Sequence, residues 1–255
     1  MDLKLRNKQA VVTGGTRGIG RAIAETLADE GCDVAICARH AEGVQETVEA
    51  LQAKGVRATG GVVDVADGEA LKAWITEAGR ALGGIDILVS NPSGGGGTSE
   101  EAWAHTFDVD LMGAVHAADA AMPFLEKTAA AEGDAAIVII SSLAASVHFG
   151  PGSYGPIKAA LVHLAKGLAR EGAPKHIRAN TISPGAVYFE GGVWHQVEQN
   201  NPDRFKAVLA ANPMGRMATP QDIAHAAAFL ASPVSSFTTG INLIVDGAFA
   251  DRVNF

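Results

Sequence analysis

The chain has little cysteine, no surplus of basic charge and no long hydrophobic run, and each shortage removes a class of function. Its two cysteines, Cys32 and Cys37, lie near or on one predicted strand and form neither C-x-x-C nor a zinc framework. A reducing, cytoplasmic setting is therefore expected. Lys and Arg number 20 against 28 Asp and Glu, a formal net charge of -8, which argues against a nucleic acid or an anionic membrane as partner. The longest purely apolar run, 135–140, is far too short to span a bilayer, and residues 1–6 show no apolar segment of a signal peptide. The eight histidines show no H-E-x-x-H and no paired metal spacing, so no metal is expected. No linker, repeat or charge block divides the sequence, and 1–255 reads as one domain.

What is present is an alternation of short apolar strands and amphipathic helices. Strands are predicted at 8–13, 33–38, 57–63, 85–90, 135–140, 177–183 and 241–245. Helices are predicted at 18–30, 42–54, 67–82, 99–130, 154–172 and 220–231. Runs such as Ile137-Val138-Ile139-Ile140 are apolar on both faces, as in a sheet covered on both sides. Repeated βα units with right-handed crossovers then give an α/β fold, a doubly wound parallel sheet of about seven strands. The stretch 186–212 breaks this rhythm. It carries Phe189, Gly191-Gly192 and Trp194, and its length reads as a substrate lid, with a surface insertion as the plain alternative.

Between the first strand and the first helix lies Thr13-Gly14-Gly15-Thr16-Arg17-Gly18-Ile19-Gly20. A glycine loop between strand and helix suits a dinucleotide. Gly14 permits the turn, Gly18 lets backbone approach a diphosphate, and Gly20 lets the helix pack on the strand. The helix N-terminus then offers free N–H groups to the phosphates. The spacing G-x-x-x-G-x-G differs from the general G-x-G-x-x-G. The second strand ends in Ala38-Arg39 without the acid that takes ribose hydroxyls in NAD binders, and Asp33 sits at its opposite end. Arg39 with Arg17 forms a guanidinium pair suited to a 2′-phosphate, so NADP(H) is expected over NAD(H). Arg39 is also readable as a solvated loop charge.

Further along, Ser141-Ser142 ends the fifth strand, at the carboxyl edge where this fold binds ligands, and Tyr154 and Lys158 follow at i and i+4 on one helix face. An ammonium beside a phenol favours the phenolate, which lets Tyr154 give a proton to a carbonyl oxygen or take one from an alcohol. Ser142 can hydrogen-bond the same oxygen.

These pieces in this order resemble the short-chain dehydrogenase/reductase family, in its 3-oxoacyl-carrier-protein reductase-like branch, over essentially the whole chain. The matching positions are Thr13-Gly14-x-x-x-Gly18-x-Gly20, Asp64-Val65, Asn91, Ser142, Tyr154-x-x-x-Lys158, Pro184-Gly185 and Val245-Asp246-Gly247. The resemblance implies that Tyr154 is the catalytic acid/base. It implies that Lys158 holds the nicotinamide ribose and tunes the tyrosine, and that Ser142 orients the substrate oxygen. By the same resemblance Gly14, Thr16, Arg17, Gly18, Ile19 and Gly20 hold the diphosphate side, and Asp64 and Val65 the adenine. Asn91 contacts the cofactor near its ribose, and Pro184, Gly185 and Val187 the nicotinamide side. A homo-oligomer, a tetramer or dimer, built through the fourth and fifth helices and the last strand, is implied in the same way.

The pattern departs from the family in places. Asp110 stands where the family has an asparagine that holds a water leading to the lysine. A carboxylate there partly cancels the lysine's effect on Tyr154, so the relay is expected to work but titrate differently. After the fourth strand the chain reads Asn91-Pro92-Ser93 and then four glycines, a loop that either reshapes the pocket or is simply flexible. Ser142 precedes Tyr154 by twelve residues, one fewer than is common in the family, which leaves Ser141 in contention. Phe189 replaces a common threonine, which removes one cofactor hydrogen bond. His148 and Phe149 are candidates to line the pocket, and Tyr188, Phe189 and Trp194 give the lid an apolar surface. The reading is an NADP(H)-dependent oxidoreductase acting on a small-molecule carbonyl or alcohol, of medium size and largely apolar rather than a highly charged sugar phosphate. A non-catalytic NADP(H)-binding sensor or scaffold is the alternative.

Overall fold

Seven stretches rich in Val, Ile and Ala pair into one parallel sheet in the computed structural model, which describes residues 2–253. They are β1 (Gln9–Thr13), β2 (Asp33–Ala38), β3 (Ala58–Val62), β4 (Ile87–Ser90), β5 (Ala135–Ile140), β6 (Ile177–Pro184) and β7 (Asn242–Val245), in the order β3-β2-β1-β4-β5-β6-β7. Every residue of β4, β5 and β6 is buried; β5 accordingly reads as a continuous apolar run, whereas β6 buries Arg178, Asn180, Thr181 and Ser183 by hydrogen-bonding their side chains.

The helices are α1 (Gly18–Asp29), α2 (Ala41–Gln52), α3 (Gly68–Leu82), α4 (Glu100–Thr106), α5 (Gly113–Glu132), α6 (Tyr154–Gly172), α7 (Val193–Asn200), α8 (Pro202–Ala211) and α9 (Pro220–Ala231). Ile23 and Leu27 of α1, Val44 and Leu51 of α2 and Ile223 and Leu230 of α9 form the core on one side of the sheet. Leu71 and Ile75 of α3, Ala121 and Leu125 of α5 and Leu161 and Ala165 of α6 fill the other. The order in which strands are added reverses between β1 and β4, which run parallel, so the loops after them diverge and open a crevice at the carboxyl edge, the usual ligand position in such sheets.

The structure differs from the sequence expectation in two places. The helix expected over 99–130 is α4 and α5 joined by a single π-helical turn, Phe107–Met112. Such a turn adds a residue without breaking the helix, and apolar periodicity does not register it. The stretch 186–212 holds two helices, α7 and α8, neither with a buried residue, so neither has an apolar stripe to read. Local chemistry sets them instead. Asn201 caps α8 by accepting from Arg204 N–H, and Pro202 sits in its first turn. The Tyr188 hydroxyl donates to Glu198 Oε2 at 2.5 Å, and its ring meets those of His195 and Phe205 edge-on. Among the described residues, no helix is long and apolar enough to cross a membrane.

Candidate active site

At the β1–α1 junction the side of Gly20 is closed by backbone. A Cβ there would lie 2.1 Å from the Gly14 carbonyl oxygen and 2.5 Å from Asn91 Nδ2, so only glycine fits. Asn91 Nδ2 donates to that same carbonyl at 3.0 Å, which locks the loop after β4 to the loop after β1. Helix α1 begins with no side-chain cap and has no acidic residue in its first turn. Its N-terminal N–H groups therefore face the crevice without a protein acceptor, the arrangement an anion needs. Thr16 is half-buried and Ile19 packs into the core below the loop. One group stands in the way: the ring of Phe189 lies directly over Gly18, where a Cβ would meet Phe189 Cζ at 2.5 Å.

The loops after β1 and β2 are neighbours, since Thr13 pairs with Cys37 and Gly15 N–H donates to the Cys37 carbonyl at 3.1 Å. Arg17 and Arg39 are exposed on these two loops. Asp33 is engaged at the far end of β2, accepting from Arg57 N–H and Nε, both at 2.8 Å. Asp64 is exposed just after β3, with Oδ1 accepting from Ala66 N–H, and Val65 beside it is buried. Pro184 closes β6, and Gly185 N–H donates to the Val245 carbonyl at 2.9 Å. Val187 is buried and bridges to Ala218.

The catalytic candidates converge at the end of β5 and the start of α6. Lys158 is the largest fully buried side chain of the chain, 1 % exposed. Its Nζ donates to the Ile140 carbonyl at 3.2 Å and lies 3.0 Å from Asp110 Oδ2, with both side chains almost wholly shielded from solvent. The approach is off the hydrogen-bond direction, so Oδ2 keeps an unfilled acceptor position in a buried site, while Oδ1 accepts from Gly94 N–H at 2.5 Å. Asp110 reaches this point from the π-helical turn. The same Nζ is 5.7 Å from the centre of the Tyr154 ring, beneath the first residue of α6. The two serines have separate tasks. Ser141 is buried and its hydroxyl donates to the Lys158 carbonyl at 2.8 Å, fixing α6 to the sheet. Ser142 is only half-buried; its Oγ accepts from Ala144 N–H at 3.1 Å and retains its own proton to donate.

The four-glycine loop makes hydrogen bonds to its surroundings at several points. Gly94 is held by Asp110, Gly97 N–H donates to Ser153 Oγ at 3.4 Å, and Ser153 N–H donates back to the Gly97 carbonyl at 3.0 Å. Ser153 Oγ and Thr106 Oγ1 meet at 2.8 Å in a fully buried pair. The loop lies so close to α6 that a Cβ on Gly96 would be 2.7 Å from Tyr154 Cβ. Sequence reading missed Thr106 and Ser153; an isolated hydroxyl carries no pattern before the chain is folded.

Beside Tyr154 a cavity of about 640 Å³ opens, walled by Gly96 and Gly97, by residues 144–152 including His148 and Phe149, and by Arg204 of α8. Burial pushes both thiols, Cys32 and Cys37, up to about 12, so neither supplies a thiolate nucleophile near neutral pH. Among the described residues no group of His, Cys, Asp and Glu is placed to hold a metal ion.

Comparison with known proteins gives a consistent result. Residues 14–249 match the family model described as enoyl-(acyl carrier protein) reductase. The human dehydrogenase/reductase SDR family member 4 is 35 % identical over 260 residues, covering 98 % of this chain and 90 % of the human protein. Among solved structures, L-sorbose reductase from Gluconobacter frateurii, complexed with NADPH and L-sorbose, superposes with a TM-score of 0.89 at 31 % identity, covering 99 % of this chain and 100 % of that one. A 7α-hydroxysteroid dehydrogenase complexed with NADH and 7-oxo glycochenodeoxycholic acid gives a TM-score of 0.88 at 31 % identity, covering 99 % of this chain and 98 % of the other.

Proposed function

The chain belongs to the short-chain dehydrogenase/reductase family, and from that premise we propose that it is an NADP(H)-dependent oxidoreductase interconverting a small carbonyl compound and its alcohol. One observation carries the catalytic part: a fully buried ammonium, Lys158, fixed beneath the ring of the one tyrosine that opens a helix onto the cavity. The chain's other tyrosine, Tyr188, is engaged with Glu198, whose carboxylate raises the pKa of that phenol.

The residues present fit the dinucleotide. The uncapped α1 N-terminus and the loop Gly14, Thr16, Arg17, Gly18, Ile19 and Gly20 take the diphosphate. Asp64 and Val65 border the adenine, and Asn91, Tyr154 and Lys158 the nicotinamide ribose. Pro184, Gly185 and Val187 flank the nicotinamide. Exposed Arg17 and Arg39 on adjacent loops, with Asp33 engaged elsewhere, favour a 2′-phosphate and hence NADP(H) over NAD(H). When bound, the cofactor supplies or accepts the hydride. Ser142 donates a hydrogen bond to the substrate oxygen, and Tyr154 transfers the proton at that oxygen. Lys158 sets a positive charge beside the phenol, and Asp110 holds Lys158 directly, where the sequence reading expected it to act through a water. Residues 186–212 serve as the lid of the single domain 1–255. The exposed Trp103 and Phe107 near α4, and Phe229, Phe237 and Ile241 toward β7, support assembly into a homo-oligomer.

A panel of ketones, 3-oxoacyl thioesters and alcohols with NADPH/NADH and NADP/NAD tests the reading. Turnover in the wild type that falls at least a hundredfold in Tyr154→Phe is the expected outcome, with kcat/KM higher for the phosphorylated cofactor. Tight NADPH binding with no turnover anywhere in the panel would favour the sensor reading, which the direct Asp110 counter-ion on Lys158 keeps in play.

A further inference from the structure

The cavity beside Tyr154 has a charge that the apolar reading of the lid did not anticipate. Arg204, in the first turn of α8, is the one permanently charged side chain on its walls; the others are glycine, alanine, proline, valine, phenylalanine, serine, tyrosine and His148, with no aspartate or glutamate. The guanidinium stands 5.8 Å from the centre of the Trp194 ring, so α7 positions it by cation–π contact. Its backbone N–H is fixed by Asn201 Oδ1 at 3.1 Å. Four other arginines are committed to carboxylates, Arg21 to Glu25 and Glu46, Arg57 to Asp33, Arg178 to Asp134 and Arg216 to Asp222, while the remaining ones, away from this cavity's lining, are in no salt bridge among the described residues. Among the described residues Arg204 has no such ion pair, and its fork of donors is available to a ligand. A second guanidinium, Arg252, backs the opposite wall, with Nη1 donating to the Ser146 carbonyl at 2.8 Å and Nη2 to the Ser146 hydroxyl.

We propose that the substrate carries a carboxylate, and that Arg204 binds it while the reacting carbonyl or alcohol faces Tyr154. Arg204 is thus a specificity-determining residue, and the substrate class is an oxoacid or the corresponding hydroxyacid. A planar carboxylate matches the guanidinium fork. Arg204 is the one permanent charge on the lining itself, and it balances the single negative charge of a carboxylate. A cavity of about 640 Å³ has room for a chain of several carbons between the two ends. Both the charge and the fork come from a lid helix, so the bound carboxylate also draws α8 toward the site.

The proposal rests on the oxidoreductase reading, and its test separates the two. Acetoacetate, levulinate and 5-oxohexanoate are compared with their methyl esters under NADPH, using wild type, Arg204→Met, Arg204→Lys and Tyr154→Phe. The expected result is that wild type prefers at least one acid over its ester by about tenfold or more in kcat/KM, chiefly through KM, the size of a charge-assisted hydrogen bond. Arg204→Met lowers kcat/KM for the acids about tenfold more than for the esters and so removes that preference; Arg204→Lys restores part of it. Equal use of acids and esters by wild type, or equal loss on both in Arg204→Met, overturns the carboxylate assignment while the reductase reading stands. If no compound turns over, quenching of NADPH fluorescence by the acids, but not the esters, in wild type and its loss in Arg204→Met still support the site. No quenching overturns it.

Discussion

Asp110 places a carboxylate 3.0 Å from the ammonium of Lys158 in a site closed to water. Two opposite charges that close, with little solvent between them and the phenol, act on Tyr154 as a pair rather than as a lone cation. Asp110→Asn keeps the shape and removes the negative charge. The expected outcome is an active enzyme whose kcat/KM against pH, in the alcohol-oxidising direction, departs from the wild-type profile, because the reacting phenol then faces a lone ammonium instead of an ion pair. A profile and rate identical to wild type would show that the pair has no part in proton transfer. Asp110 also accepts from Gly94 N–H at 2.5 Å, so one side chain sets both the charge on the lysine and the position of the loop that presses against Tyr154. Sequence comparison could locate Asp110 at a departure from the family; it could not show that the carboxylate meets the lysine directly.

At the scale of elements, the lid and the glycine loop are in contact before any cofactor arrives. Phe189 packs on Gly18 and Gly192, and it belongs to the segment that α7 and α8 continue. A dinucleotide that approaches the Gly18 backbone has to displace the ring, at a cost in apolar contact. Phe189→Thr removes the ring and returns a hydroxyl to the cofactor side. NADPH binding, read by fluorescence titration, is expected to tighten about tenfold, equivalent to about 1.4 kcal/mol; unchanged or weaker binding would mean that the ring turns aside freely or aids the bound state. The lid's two helices were invisible to periodicity because neither buries a residue, whereas α1, α3 and α9 were read to within two residues of their bounds because each lays an apolar stripe on the sheet.

For the whole molecule, the two cores on opposite sides of the sheet are complete within one chain, yet large apolar groups remain outside. Phe237 is fully exposed, and Trp103, Phe107, Phe229 and Ile241 are each 39–43 % exposed. Exposed apolar groups of this size suit the assembly proposed above, in which another copy would cover them. Analytical ultracentrifugation is expected to give a multiple of 26.1 kDa for the wild type and a smaller species for Phe107→Asp or Phe237→Asp. A monomeric wild type would refute the assembly.

The sequence by itself determined the strand order of business: seven apolar runs, the helices between them, the glycine loop, and the identity of Tyr154, Lys158 and the serine pair as the groups to watch. These are local patterns, or fixed spacings along the chain, and they survive without a third dimension. Only tertiary structure decided what those groups touch. It tied Ser141 to the backbone of α6 and left the Ser142 hydroxyl proton uncommitted, gave the glycine run hydrogen-bond partners in Asp110 and Ser153, and brought Arg204 from α8 to a cavity that also contains Tyr154, 50 residues away in sequence. Contacts between residues so far apart depend on how helices pack and where a π-helical turn advances the register, and neither leaves a period in the chain.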